Sequence, residues 1–222
     1  MPRVAVILSG CGVMDGSEIH EAVLTLLALD RAGAQFQCLA PNKNQMHVVN
    51  HLTHKPVAGE TRNVLVESAR IARGQVQDLA TAAVEDFHAV ILPGGFGAAK
   101  NLSNYADKGP QCDLDPAVDR FLAGMYKAGK PIGAICISPV MIAKAFGGKG
   151  GVRVTIGTDP KTANHIESMG AEHISCPVDD VVIDADHRIV TTPAYMLAES
   201  IAQAAVGIEK LVGEVLLLAG RT

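Results

Sequence analysis

Short apolar runs alternate with longer segments of helical periodicity along nearly the whole chain. Residues 4–8 are an apolar, β-branched run closed by Ser9-Gly10 and Gly12, as expected of a strand buried on both faces. From Ser17 the segment SEIHEAVLTLLALDRAG offers an N-cap serine, early glutamates that match the helix dipole, apolar residues at helical spacing and Gly33 as a stop. Residues 34–40 read as a second strand. A strand, a helix and a strand in that order imply parallel strands joined by a right-handed crossover.

The stretch MHVVNHLTHKPVAG alternates polar and apolar positions and ends in Pro and Gly, which predicts a half-exposed hairpin projecting outward. Thr61 is placed to cap a helix over RNVLVESARIAR, closed by Gly74, and residues 87–92 (FHAVIL) form the next buried strand, running into PGGFG. Asp115-Pro116 opens a helix to about Ala128, and residues 131–135 (PIGAI) are a strand that delivers Cys136 to the start of a helix over 137–146. After a glycine-rich turn the pattern predicts a strand VRVTI and a helix over 161–169 ended by Gly170. Short strands follow around VVIDADHRIVTT, with a turn at 184–186, and then a long apolar helix over about 195–218. Strands and helices alternate without linker, repeat or low-complexity block. The expectation is one domain over residues 1–222: a three-layer α/β sandwich with a mostly parallel sheet and its site at the carboxyl ends of the strands.

Composition narrows the function. With 222 residues, 48% hydrophobic and 19% charged, the chain can bury a sizeable core, and a formal net charge of −4 provides no basic field for nucleic acid or anionic lipid. The partners expected are small molecules or protein, with neither nucleic acid nor membrane. The N-terminal MPRVAVILSG has too short an apolar run for a secretory signal or a membrane span, so a cytosolic protein is expected. Five cysteines without close pairs suggest neither a disulfide framework nor a CxxC site.

The candidate chemistry centres on Cys136. An apolar strand running directly into a helix exposes the residue at the bend, as in a nucleophile elbow, and a helix N-terminus is expected to lower the thiol pKa and favour the thiolate. The competing reading is a small buried hydrophobe. Pro93-Gly94-Gly95 ends the neighbouring strand with unobstructed N–H groups; with the N–H of Ile137, Gly94 and Gly95 are candidate donors to an oxyanion. Glu18 and Glu21 share one face of the first helix, and either is placed to meet the sulfur and move protons, or simply to match the helix dipole. His47, His51 and His54 would not share one face of a hairpin, so no metal site is expected there. Cys11 follows the first strand and is read as a structural residue near the site; His165 and His173 have no evident route to Cys136. No GxGxxG with a suitably spaced acid is present, and no cofactor is expected.

The segments ILSGCGVMDGSEIHEAVLTLLA, NHLTHKPVAGETRNVLVESARI, LPGGFGAAKNLSNYA, GKPIGAICISPVM, IGTDPKTANHIESMGAEH, CPVDDVVID and IVTTPAYMLAESIA together resemble the PfpI-like branch of the class I glutamine-amidotransferase-like superfamily. Over nearly the full length they resemble the ElbB type, glyoxalases associated with isoprenoid biosynthesis. The resemblance implies a flavodoxin-like sandwich, commonly a homodimer, that converts glyoxal to glycolate without glutathione, metal or other cofactor. The alternatives are protein deglycation or thiol-based redox sensing with little small-molecule turnover. It carries the nucleophile onto Cys136, the thiol-contacting carboxylate onto Glu21 rather than Glu18, and the oxyanion glycines onto Gly94 and Gly95. Many relatives hold a histidine directly after the cysteine or on the strand-loop after the elbow helix, where this chain has Ile137 and Gly157-Thr158. A two-residue Cys–Glu site with weak activity is the expectation, and amidotransferase or protease chemistry is disfavoured.

Overall fold

A computed structural model describes residues 1–220 of the chain; the last two residues of the expected domain lie outside the described residues. The elements in order are β1 (Arg3–Ile7), α1 (Ile19–Arg31), β2 (Gln35–Ala40), β3 (Val49–Asn50), β4 (Lys55–Pro56), α2 (Val64–Ile71), β5 (Val76–Asp78) and β6 (Ala89–Leu92). Then come α3 (Phe96–Lys100), α4 (Tyr105–Lys108), α5 (Pro116–Lys127), β7 (Ile132–Ile135), α6 (Pro139–Phe146), β8 (Arg153–Val154), α7 (Pro160–Ser168), β9 (Glu172–His173), β10 (Val182–Asp184), β11 (Ile189–Thr192) and α8 (Ile201–Ala219).

Seven strands form the central sheet in the order β10-β11-β7-β6-β1-β2-β5, and every pairing in it is parallel except β10 with β11. Helices cover both faces, as a parallel sheet requires. On one face Leu29 of α1 and Ile208, Leu211 and Val215 of α8 pack over Val4, Val6, Ile91 and Val190. On the other, Phe121, Leu122 and Met125 of α5 and Met141 and Phe146 of α6 pack over Ile7, Val90, Leu92 and Ile132. Burial of each such side chain contributes about 1.5–3 kcal/mol. The expected three-layer α/β sandwich is the observed fold.

Several boundaries differ from the sequence expectation, each for a local reason. Ser17 does not cap α1, because its Oγ accepts from Ser9 N at 2.8 Å; Glu18 caps instead, accepting from Glu21 N at 2.7 Å. Asn63 rather than Thr61 caps α2, since Arg62 and Asn63 pair with residues 44–45 and delay the helix. The run VRVTI does not join the main sheet: Arg153 N donates to the Asp184 carboxylate and Thr155 N to Thr191 Oγ1, and β8 pairs only with β9. The helix expected from residue 195 begins at Ile201, after a 3-10 turn and a Ser200 cap. The one expected from 137 begins at Pro139. Strand β5 and the short helices α3 and α4 carry too few residues for a periodic pattern.

The hairpin of β3 and β4 does not stand free. Val49 N donates to buried Asp15 at 2.7 Å, and Met14 N donates to His51 Nε2 at 3.2 Å. Asn101, fully buried, completes the clasp: its amide donates to Ser9 O and Asp15 O, and its Oδ1 accepts from Met46 N. Replacing Asn101 by Ala strands a buried donor and two acceptors at roughly 1–3 kcal/mol for an unsatisfied group. Urea unfolding of Asn101→Ala is expected to show a loss of about 3 kcal/mol; a loss below about 1 kcal/mol would show that the clasp is dispensable.

Candidate functional site

The site lies at the carboxyl ends of β1, β6, β7 and β11. Cys136 directly follows β7 and is held with φ of 63°, in the left-handed region that an L-residue enters at a cost of about 1–3 kcal/mol. Its N–H donates to Thr192 O at 2.9 Å, and Ser138 Oγ donates to Pro93 O at 2.8 Å. The bend is therefore tied to both flanking strand ends, and the thiol points at α1 rather than into the sheet.

Glu21, fully buried on α1, reaches the thiol and is hydrogen-bonded to it. The carboxylate is fixed by two N–H donors, Gly94 at 2.9 Å to Oε2 and Tyr195 at 3.2 Å to Oε1. Gly94 is required for this approach: a Cβ there would lie 2.6 Å from the Cys136 Cβ and 2.8 Å from Glu21 Oε2. Gly95, at φ of 94°, backs onto α1, where a Cβ would meet Glu18 N at 2.3 Å. Of the two expected glutamates, Glu21 meets the sulfur. Glu18 spends Oε2 on capping α1 and lies beside the same cleft.

Two expectations need correction. The Gly94 N–H is donated to Glu21, so it is not available to an oxyanion; the N–H groups of Gly95 and Ile137 are the ones that donate to the Cys136 sulfur. The thiol pKa is raised well above 9.0, not lowered, chiefly by burial and then by the Glu21 charge. The magnitudes explain why. A helix terminus stabilises a charge by at most about 2 kcal/mol, whereas full burial moves a pKa by roughly 3–5 pH units. Glu21 is likewise raised from 4.5 to about 7, by burial first and by the charge of Glu18 second. Above about 7 the carboxyl and the thiol in contact thus hold one proton between them, and the thiolate exists when Glu21 carries it.

A cleft of about 840 Å³ opens over the thiol. Val13, Phe96, Ile137 and Met196 are among its apolar lining residues, and Glu18, Tyr105, Lys161, His165 and Tyr195 among its polar ones. His165 accordingly lies in the cleft wall, hydrogen-bonded through Nδ1 to Tyr105 OH at 2.8 Å, although its spacing in the sequence gave no route there. His173 does not line it. Tyr195 was also missed, and a signal for it existed: like Cys136, it follows the carboxyl end of a parallel strand. Cys11 is half-buried beside Glu67, outside the cleft lining. Burial pushes Cys38 and Cys176 up to about 11. Among the described residues no group of three or more His, Cys, Asp or Glu side chains is arranged to hold a metal ion, and no helix is long and apolar enough to cross a membrane.

Known proteins are similar to this one over nearly the whole chain. The model of the DJ-1/PfpI family matches residues 4–204. The human protein named glutamine amidotransferase-like class 1 domain-containing protein 3, mitochondrial, is 46% identical over 228 residues, covering 99% of this chain and 84% of the relative. The rat mitochondrial ES1 protein homolog is 43% identical, covering 99% and 85%. The crystal structure of an isoprenoid biosynthesis protein with an amidotransferase-like domain from Ehrlichia chaffeensis superposes with a TM-score of 0.92 at 44% identity, covering 98% of this chain and 99% of that one.

The raised Glu21 carboxyl makes stability depend on pH. Unfolded, the group ionises near 4.5, and folded it ionises near 7, so between those values the native state holds the extra proton. Its favourable contribution is complete below about 4.5 and is lost as pH rises through 7. Between pH 4.5 and pH 7.5 the wild type is expected to lose about 3 kcal/mol more than Glu21→Gln in denaturant unfolding. Parallel pH profiles for the two proteins would contradict the assignment.

Proposed function

The chain belongs to the DJ-1/PfpI family and carries a class I glutamine amidotransferase-like domain, and from that premise we propose that it is a cofactor-independent glyoxalase of the ElbB type, converting glyoxal to glycolate through Cys136. The observation that carries this reading is the one-proton pair: a strained, strand-end cysteine in contact with a carboxyl that titrates near neutrality. When Glu21 holds the proton, the Cys136 thiolate adds to an aldehyde carbon and Glu21 delivers that proton to the oxygen. The N–H groups of Gly95 and Ile137 lie beside the sulfur, where the developing oxyanion needs them. Internal oxidation of the bound carbon and reduction of its neighbour then give a thioester of glycolate, and water releases the acid and restores the thiolate. The crystallised relative named for isoprenoid biosynthesis supports a place near that supply.

The cleft is far larger than glyoxal, and this favours a second reading within the same chemistry: bulkier carbonyl compounds, including carbonyl adducts on other molecules. Five free cysteines suit a reducing compartment such as the cytosol, and the mammalian relatives carry the word mitochondrial in their names. Exposed Ile19, Val23 and Leu27 on α1 form an apolar stripe suited to a twin subunit.

Steady-state kinetics on glyoxal test the proposal. Cys136→Ser is expected to abolish glycolate formation, and Glu21→Gln to lower kcat by about 10²–10⁴-fold. In the wild type kcat/KM should rise with pH through about 7 as the pair loses its second proton, and in Glu21→Gln that inflection should move up toward the thiol's own raised value. Full glycolate production by Cys136→Ser would overturn the reading.

A further inference from the structure

Several polar groups in the cleft have no part in the chemistry described so far, and Tyr195 is the one tied to the Glu21 carboxylate. Tyr195 stands where β11 ends, next to β7 in the sheet, and shares the cleft with Cys136. The turn that presents it contains Ala194 at φ of 42°, a second non-glycine residue in the left-handed region at the site, beside Cys136 at 63°. Strain of that kind persists where the surrounding structure fixes a backbone for a purpose. The backbone N–H of Tyr195 holds Glu21 Oε1 at 3.2 Å, so its position is registered to the proton-bearing carboxyl. Its hydroxyl is hydrogen-bonded to His20 Nδ1 at 2.8 Å, and Glu18 Oε1 lies 3.9 Å from the same nitrogen. The phenol is thus an oriented acid at the cleft, linked through imidazole to solvent, His20 being exposed.

The proposed reaction has a matching need. Once the thiolate has added to C1 of a dicarbonyl and Glu21 has protonated O1, the Glu21 carboxylate removes the C1 hydrogen. The electron pair of that bond forms C1=C2, and the C2=O pair moves onto O2, which must be protonated. Glu21 now holds the C1 proton, which the product needs at C2, so a separate donor at O2 lets the carboxyl keep it. We infer that the Tyr195 hydroxyl is the second proton-transfer group of this site: it protonates O2 to give the enediol and then, as phenolate, takes the O1 proton while Glu21 returns its proton to C2. C1 ends as the thioester carbonyl and C2 as the hydroxymethyl group, with no outside oxidant or reductant. Water then adds to C1 and gives a proton to Glu21, and the Cys136 thiolate departs. Tyr195 is the catalytic residue of this step and His20 its positioning residue. The inference rests on the glyoxalase reading.

The test is turnover of glyoxal by the wild type, Tyr195→Phe and His20→Ala, with alkylation of Cys136 by iodoacetamide measured on each. Tyr195→Phe should lower kcat by about 10²-fold with KM little changed and Cys136 alkylated at the wild-type rate. His20→Ala should lower kcat less. Wild-type kcat in Tyr195→Phe would overturn the inference while leaving the glyoxalase in place. A parallel loss of turnover and of alkylation would show Tyr195 to be structural only and would overturn it too. Absence of turnover in the wild type would remove both.

Discussion

Glu21 and Cys136 are buried against each other, and one proton serves both. Two ionisable groups without water cannot both be charged at contact distance, so the pair trades a single negative charge between oxygen and sulfur. The rest of the site follows from keeping that contact. Gly94 removes the Cβ that would part the two side chains and turns its N–H to the carboxylate. Tyr195 N–H holds the second carboxylate oxygen. Gly95 and Ile137 N–H groups are left for the sulfur and for whatever oxygen forms next to it. The arrangement keeps the thiol protonated while Glu21 is ionised and yields the thiolate by a proton shift over one hydrogen bond.

The sheet makes this possible at modest cost. Cys136, Gly94 and Tyr195 each follow the carboxyl end of a strand, β7, β6 and β11 respectively, and those strands are neighbours in register. The loop after β1 brings Glu18 and Glu21 to the same edge, where buried Asp15 and Asn101 bind it to the β3–β4 hairpin. The left-handed backbone at Cys136 and Ala194 costs a few kcal/mol in all, small beside the burial of the apolar residues on the two sheet faces. Strain is concentrated where the chemistry is, and the packing that carries it lies below.

Much of this was legible in the sequence, and the reasons for success and failure are physical. Buried strands such as VAVIL and the amphipathic α1 and α5 announce themselves by period and caps, and so the parallel sheet and the strand-end position of Cys136 could be read directly. Glu21 could be chosen over Glu18 only through resemblance, because spacing puts both on one face, and only the fold shows that Glu18 is spent on the cap. The direction of the thiol pKa was misread because helix position is visible in a sequence while full burial is not. His165 reached the cleft through tertiary packing of α7, which no local pattern encodes. VRVTI failed as a core strand because side chains of Asp184 and Thr191 took its backbone donors.

The shared proton can be observed without substrate. Carbon NMR of protein labelled at glutamate carboxyls follows Glu21 through a pH titration, in the wild type and in Cys136→Ser. The account predicts a Glu21 carboxyl that titrates near 7 in the wild type and shows a second, higher-pH response as the thiol ionises, and that this second response disappears in Cys136→Ser. A Glu21 carboxyl that titrates near 4.5 and is indifferent to Cys136 would contradict it.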